Sequence, residues 1–553
     1  MNEEYSILVG GAAGEGSRMA GLTIAKLLNQ YGWRVSIYED YQSLIKGGHS
    51  FSKIRATKKV NSAPKRSIDF LVALNKETLE KHKKDLDKDG IAIFDADNSE
   101  FEYGFGLSGK QVMEQFQIIP IMKNSAFIGA FAKTIGIEWE MVEKVFRKEI
   151  RKEIDKNLAV AKFGYDQADT LTKIEKLKNT PMPLITGNET TAMGAIKAGL
   201  QFYSAYPMTP ATSILHFLAD HKTDFKVDVF QAENEISVIN SALGAASAGK
   251  RSMVGTSGGG MALMAEAVSF AAQGEIPVVL VNSQRPGPAT GLPTYSGQSD
   301  LKFSLNIGHG DFVKILVAPG DADESFYLAG LAMNLAWKYQ IPVLFLTDKN
   351  VSESTFSFDT GMISKINPIK ESLWDGKGTY KRYLDTKSGI SPMAFYGQKD
   401  ALVRVTSYEH FEDGLTLEEE EDLIIKMNKK KERKFAAIQN EIEKLNPVKV
   451  YGNKNSKKAI IAWGYNKGLA KEVAENLNIK FIQPVIMQPF PVKAMQKALK
   501  GVNKLVLVES SAAGQLSDLL AQNGIKLNDK ILSCTGRSFY LEDLQKEVEK
   551  KIK

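Results

Sequence analysis

The sequence predicts an α/β protein of three α/β domains with mainly parallel sheets, and three observations carry that expectation. Short apolar runs of strand composition are followed by glycine turns and then by segments of helical period, the alternation typical of parallel sheets. The intervening helices are rich in Ala, Gly and Ser, so they can lie close on a sheet. At 553 residues the chain exceeds what one ordinary core fills, so two to four domains are expected.

The first block, 1–178, opens on the apolar run 5–9. Gly10-Gly11-Ala12-Ala13-Gly14-Glu15-Gly16 follows, then an amphipathic helix at 17–31. Further strands are expected at 34–38, 70–74 and 91–94, before a lysine-rich helical stretch and a linker at 179–183. The second block, 184–354, has strand runs at 226–230, 252–255, 277–282, 313–317 and 342–347. Alanine-rich helices at 235–248 and 261–273 separate them. A connector, 355–455, is loop-rich at first. Its 415–445 stretch, dense in Glu and Lys, reads as a solvated helix with i,i+4 ion pairs. The last block, 456–553, repeats the grammar with strand runs at 459–463, 480–485 and 504–509.

Composition removes several function classes. The formal charge is only +6, from 71 basic and 65 acidic residues mixed along the chain, which argues for a solubilising surface and against nucleic acid. No stretch approaches the roughly 20 apolar residues of a membrane span. The acidic start, Met1-Asn2-Glu3-Glu4, runs straight into a strand, so no secretory signal and a cytoplasmic location are expected. The single cysteine, Cys534, excludes an internal disulfide and an iron–sulfur cluster of this chain's own. The six histidines lack metal-ligand spacing, so no metal site is expected here.

Several local choices point instead to a ligand pocket. In Tyr206-Pro207-Met208-Thr209-Pro210 two prolines hold the backbone around Thr209, leaving its hydroxyl little entropy to lose on binding. Glu235 opens a small-residue helix, as a favourable first-turn acid or as a carboxylate held beside an apolar wall. Thr256-Ser257-Gly258-Gly259-Gly260 follows a strand and opens a helix, so its backbone donors face an anion or polar ring. Arg285 follows a buried-type strand at the end where open α/β sheets bind ligands, and a guanidinium there suits a carboxylate. Two weaker glycine turns lie in the first block. One carries Gly14 and Gly16, with the order G-x-x-G-x-G. The other is Lys46-Gly47-Gly48-His49-Ser50, suited to a phosphate-bearing ligand.

In this order the motifs resemble the 2-oxoacid:ferredoxin oxidoreductases, specifically a subunit with fused gamma and alpha portions and closest to the 2-oxoglutarate branch. The resemblance spans nearly the whole chain. It includes Gln284-Arg285-Pro286-Gly287-Pro288, Gly389-Ile390-Ser391-Pro392, Glu409-His410, Pro489-Phe490-Pro491 and Glu509 through Gly514-Gln515. It implies a gamma-like domain (1–178), a thiamine-diphosphate pyrimidine-binding domain (184–354) and a transketolase-C-like domain (456–553). The implied reaction is CoA-dependent oxidative decarboxylation of a 2-oxoacid, 2-oxoglutarate first, to an acyl-CoA and carbon dioxide, with reduction of ferredoxin. Pyruvate, branched-chain 2-oxoacids and a catalytically silent assembly subunit are the alternatives.

By the same resemblance Glu235 hydrogen-bonds the aminopyrimidine ring and promotes its imino form, with Thr256, Ser257, Gly258 and Gly259 around the cofactor. Thr209 and Arg285 grip the substrate carboxylate, Tyr206 shapes the pocket, and Gly14, Gly16, Lys46, Gly47 and Gly48 border coenzyme A. No Gly-Asp-Gly and no cysteine set occur, so Mg²⁺, the diphosphate and the iron–sulfur cluster are expected on a beta subunit. A heterodimer, or a dimer of heterodimers, that reduces ferredoxin is implied. Gly258-Gly259-Gly260 stands where the family pattern has Gly-Pro-Gly, and Gly14-Glu15-Gly16 where Gly-Gln-Gly is commoner. Lys302 and His309 are candidates to meet a distal carboxylate.

Overall fold

The computed structural model describes residues 3–42, 47–416 and 419–553. They group into two compact units. The first comprises Met1–Ile185, Glu353–Thr360 and Ser538–Lys546. Its eight-stranded sheet is parallel on one side, where Glu4–Ala12, Ile68–Ala73, Leu86–Asp95 and Gly104–Leu107 lie in sequence. On the other side His49–Thr57 runs antiparallel to Glu4–Ala12, and Arg34–Asp40 and Thr355–Ser357 continue antiparallel beyond it.

The mixed order has a simple cause. The loop between Arg34–Asp40 and His49–Thr57 is too short for the crossover of a dozen or more residues that a parallel pair needs. His49–Thr57 escapes a sequence reading because Ser, Lys and Arg alternate with its apolar residues, yet all its positions are buried. Helices Asn124–Thr134 and Ile154–Gln167 cross at Gly129 and Gly164. A Cβ on Gly129 would lie 1.9 Å from Ala161 O, so these backbones touch only because both residues are glycine. Trp33, Phe127, Phe131 and Phe146 fill the core beneath.

The second unit holds two sheets. The larger runs, edge to edge, Ile486–Gln488, Ile315–Val317, Pro342–Asp348, Val278–Gln284, Ser252–Thr256, Phe202–Ala205, Asp228–Gln231. All neighbours are parallel except the antiparallel first strand. Val278–Gln284 and Pro342–Asp348 are buried along their whole length: apolar runs at 278–281 and 342–346, as a sheet covered on both faces requires, lead into polar ends that are buried too. The short strand Phe202–Ala205 has no counterpart among the sequence-read strands, because four residues leading into a proline loop carry no period.

The smaller sheet has the order Val448–Gly452, Lys480–Pro484, Lys458–Ala462, Lys504–Glu509, Asp529–Leu532, parallel apart from its first strand. The chain passes from Lys480–Pro484 in this sheet directly to Ile486–Gln488 in the larger one, which welds the two sheets into one unit.

The charged segment departs from expectation. Its helix, Glu421–Ile442, is not simply solvated: Lys430 and Lys434 are buried and both bind the buried Glu275, at 2.6 and 2.8 Å. Burial works against an ionised Glu275, but Lys434, Lys430 and Arg382 outweigh it and hold the carboxyl far below its usual range. Other basic residues of the helix reach off it, Lys426 to Glu412 and Lys431 to Glu409, in place of i,i+4 partners. Leu417 and Glu418 lie outside the described residues.

Candidate active site

Four of the singled-out segments emerge at the carboxyl ends of four adjacent parallel strands. Arg285 follows Val278–Gln284, the glycine loop follows Ser252–Thr256, the proline loop follows Phe202–Ala205, and Glu235 lies just past Asp228–Gln231. Parallel pairing places all four on one edge of the sheet, where open α/β sheets take ligands.

Glu235 begins the helix Glu235–Ser247, whose N-cap Asn234 accepts a hydrogen bond from Ser237 N at 3.0 Å. That cap spares Glu235 from capping and turns its side chain inward, where the residue is 6% exposed. It lies in a notch of the glycine loop: a Cβ on Gly260 would sit 2.6 Å from Glu235 Oε1 and 2.1 Å from Thr256 Oγ1. Ser257 N-caps the short helix Gly258–Leu263 without a side-chain bond. Its buried Oγ has no hydrogen-bond partner among the described residues. Gly259 is exposed, 4.0 Å from Met208 Cε as judged by an added Cβ, which brings the proline loop against the glycine loop.

The proline loop is held from below. Asn188 Nδ2 donates to Pro210 O at 2.7 Å and to Ser213 Oγ at 2.8 Å. Met208 O accepts from the backbone of Ala211 and Thr212 and from Thr212 Oγ1. Tyr206 and Thr209 are exposed on the loop this frame presents.

Arg285 is the most unusual residue of the set. It is 9% exposed, its buried Nε lacks a hydrogen-bond partner among the described residues, and its guanidinium makes no ion pair there. Burial lowers its proton affinity, and the Asp300 carboxylate opposes that. A buried cation without a partner is costly, and its usual resolution is an anionic ligand.

Sequence reasoning missed Asn282, Gln298 and Asp300. Asn282 Nδ2 donates to Asp300 Oδ2 at 3.3 Å, while its own Oδ1 is buried without a partner among the described residues. Gln298 ties the loop after Arg285 to the smaller sheet's segments. Its Nε2 donates to Trp463 O at 2.9 Å, and its Oε1 accepts from Asn466 Nδ2 and Ser510 N, both at 2.8 Å. The one available signal was Asn282 itself, the first polar residue after the apolar run 278–281. Glu509, noted only for its motif, is buried and accepts from Gln515 N, Leu516 N and Trp463 Nε1, so it anchors the helix Gln515–Gln522. Lys302 is ion-paired with Asp518, and His309 is exposed.

In the first unit, Gly14 and Gly16 take positive φ (90° and 81°), and Gly16 N-caps the helix Ser17–Gln30. Gly47 and Gly48 also take positive φ, and Ala13 N donates to Gly48 O at 2.7 Å, joining the two turns. Glu15 folds back to accept from Ala12 N at 2.8 Å, so an acidic side chain occupies part of the ground expected for an anion. Lys46 lies outside the described residues.

Among the described residues, no group of three or more His, Cys, Asp or Glu could hold a metal, and no helix is long and apolar enough to cross a membrane.

Known proteins match this architecture along its length. The family profile described as "Pyruvate ferredoxin/flavodoxin oxidoreductase" matches residues 6–167. The one described as "Pyruvate flavodoxin/ferredoxin oxidoreductase, thiamine diP-bdg" matches 193–430. The 2-oxoglutarate synthase subunit KorA of Archaeoglobus fulgidus is 30% identical over 61% of this chain and 89% of its own. A solved 2-oxoglutarate:ferredoxin oxidoreductase from Magnetococcus marinus, with 2-oxoglutarate, coenzyme A and succinyl-CoA bound, is 29% identical. It superimposes with a TM-score of 0.90 over 100% of both chains. The 2-oxoacid:ferredoxin oxidoreductase subunit alpha of Saccharolobus solfataricus is 31% identical over 98% of this chain and 97% of its own. With both profiles in one polypeptide and that relative matched end to end, the chain belongs to the 2-oxoacid:ferredoxin oxidoreductases, as an alpha subunit.

Proposed function

We propose that this subunit supplies the carboxylate grip and the pyrimidine side of a thiamine-diphosphate site for CoA-dependent oxidative decarboxylation of 2-oxoglutarate. The observation that carries the reading is Arg285, a buried residue whose guanidinium has an unpartnered buried Nε and no ion pair among the described residues, at the carboxyl edge of the sheet. A 2-oxoacid brings the carboxylate it lacks. Thr209, on the stiffened loop, adds a hydroxyl to that grip, and Tyr206 borders it.

The residues fit the cofactor's pyrimidine ring. Gly260 leaves a notch that any Cβ would fill, Glu235 lies in it, and Ser257 Oγ is unpartnered among the described residues. Bound there, thiamine diphosphate supplies an electron sink for decarboxylation. Glu235 holds a proton-sharing hydrogen bond to a ring nitrogen, and Thr256, Ser257, Gly258 and Gly259 line the ring. A beta subunit carries Mg²⁺, the diphosphate grip and the iron–sulfur cluster that passes electrons to ferredoxin. The assembly is a heterodimer or a dimer of heterodimers in the cytoplasm.

In this reading residues 1–178 form the gamma-like domain, whose turns at Gly14, Gly16 and Lys46–Gly48 border coenzyme A. Residues 184–354 form the pyrimidine-binding domain and 456–553 the transketolase-C-like domain, linked by 355–455. The bound 2-oxoglutarate and coenzyme A of the Magnetococcus marinus enzyme support the choice of acid and co-substrate.

The test is viologen reduction by this chain co-expressed with its beta subunit, with thiamine diphosphate, Mg²⁺ and coenzyme A. 2-Oxoglutarate, pyruvate and 2-oxoisovalerate are supplied in turn. CoA-dependent reduction with 2-oxoglutarate preferred is expected; preference for another acid overturns the substrate assignment, and no CoA-dependent reduction overturns the reaction.

A further inference from the structure

The loop that leaves the sheet at Arg285 comes back to it at Asp300, and the return is tightly built. Asp300 N donates to Gln284 Oε1 at 2.9 Å, so the residue is fastened to the neighbour of Arg285. Its carboxylate accepts from Asn282 Nδ2 at 3.3 Å. It also presses on the glycine loop: a Cβ on Gly258 would lie 2.5 Å from Asp300 Oδ2. Two residues earlier, Gln298 clamps the same loop to Trp463, Asn466 and Ser510. Asp300 is therefore held from three sides at the strand end that leads into Arg285, through Asn282 and Gln284, and the two side chains form no ion pair.

We propose that Asp300 is a positioning residue that keeps the Arg285 guanidinium available and sets how tightly it grips a substrate carboxylate. The proposal rests on the carboxylate-binding role given to Arg285 above. A direct Arg285–Asp300 pair would close the guanidinium fork to ligand. With no counter-charge at all, a buried arginine would hold any carboxylate hard and release it slowly. A carboxylate fixed nearby but out of contact does neither. It steadies the cation by attraction and repels an incoming anion, so the substrate binds less tightly and exchanges faster.

Gly258 takes part in this arrangement, since a side chain there would push Asp300 from its place. Asn282, Gln284, Gly258 and Ser304, which contact Asp300, do not titrate, and Arg285 is the charged group whose field reaches it. Burial raises Asp300's proton affinity, against the Asn282 hydrogen bond and the pull of Arg285. As the medium turns acid that charge fades, and the grip of Arg285 tightens as it does.

The experiment uses the complex with the beta subunit and the unreactive ligand 2-hydroxyglutarate, whose binding is measured by calorimetry from about pH 5 to 8. In the native complex, affinity is expected to rise as pH falls. Asp300→Asn, which keeps the shape and removes the charge, should bind about three- to tenfold more tightly at neutral pH. Its KM for 2-oxoglutarate and its kcat should both fall, and the pH dependence of binding should disappear. Asp300→Glu should keep that pH dependence. If Asp300→Asn does not assemble, Asp300→Ser removes the same charge and is read in the same way. Unchanged or weaker binding by the variant, with turnover retained in the native complex, overturns the role of Asp300 alone. A native complex that binds no 2-hydroxyglutarate and shows no CoA-dependent turnover overturns the Arg285 reading beneath it.

Discussion

Adding one methyl group at Gly260 tests whether the glycine loop and Glu235 form a single working unit. Alanine there would bring Cβ to 2.1 Å from Thr256 Oγ1 and 2.6 Å from Glu235 Oε1. Against an ordinary contact of about 3.5 Å, the overlap is about 1.4 Å at Thr256 and about 0.9 Å at Glu235. Thr256 ends a wholly buried strand and cannot retreat, so Glu235 has to move. A displacement of that size at a reacting group costs on the order of 10²-fold in rate, and overpacking costs roughly 1–3 kcal/mol of stability.

Gly244, exposed on the helix that Glu235 begins, is the internal control. A Cβ there would meet nothing within 4 Å, and alanine gains about 1 kcal/mol over glycine in a helix. CoA-dependent viologen reduction and thermal unfolding of the complex are therefore measured for Gly260→Ala and Gly244→Ala. The first should lose most activity and some stability; the second should keep both within a few-fold. Equal damage at the two glycines, or full activity in Gly260→Ala, would refute the packing argument.

Glu235→Gln keeps the shape but removes the proton-sharing carboxylate, so kcat should fall by about 10²–10⁴ with the complex still assembled, as rapid-mix turnover and size-exclusion chromatography will check. Arg285→Met removes the buried charge: KM for the 2-oxoacid should rise at least about tenfold while the melting temperature holds or increases, because an unpaired buried cation opposes folding. The pH dependence of unfolding should report Glu324, which is buried among Lys467, Lys449 and Gln483. Burial alone would raise it, but the two lysines prevail and hold it down to about 2. Because the folded value lies below the unfolded one, the stabilisation is complete above about 4.5 and is lost as pH falls towards about 2. Glu324→Gln should be less stable than the native protein at neutral pH and lose less of its stability in acid; parallel acid limbs would count against this account.

Much of the candidate site was legible in the chain because it is written in backbone-costly residues. Proline on both sides of Thr209, three glycines after a strand, and a charge at the end of an apolar run each announce themselves without a partner. Other features are silent in one dimension. Lys430 and Lys434 read as solvated charges, since nothing near them in sequence reveals Glu275 some 155 positions away. His49–Thr57 has no counterpart among the strands read from sequence, because its polar residues find partners only inside the sheet.

The α/β grammar and the order of Tyr206, Thr209, Glu235, Thr256 and Arg285 can be read along the chain. Folding in three dimensions adds that their strands are neighbours, that Glu235 lies in the notch at Gly260, and that Asp300 returns to bind Asn282 and Gln284. The reason is that strand order, burial and the pairing of distant charges depend on contacts between residues far apart in the chain. Local propensity carries no record of them.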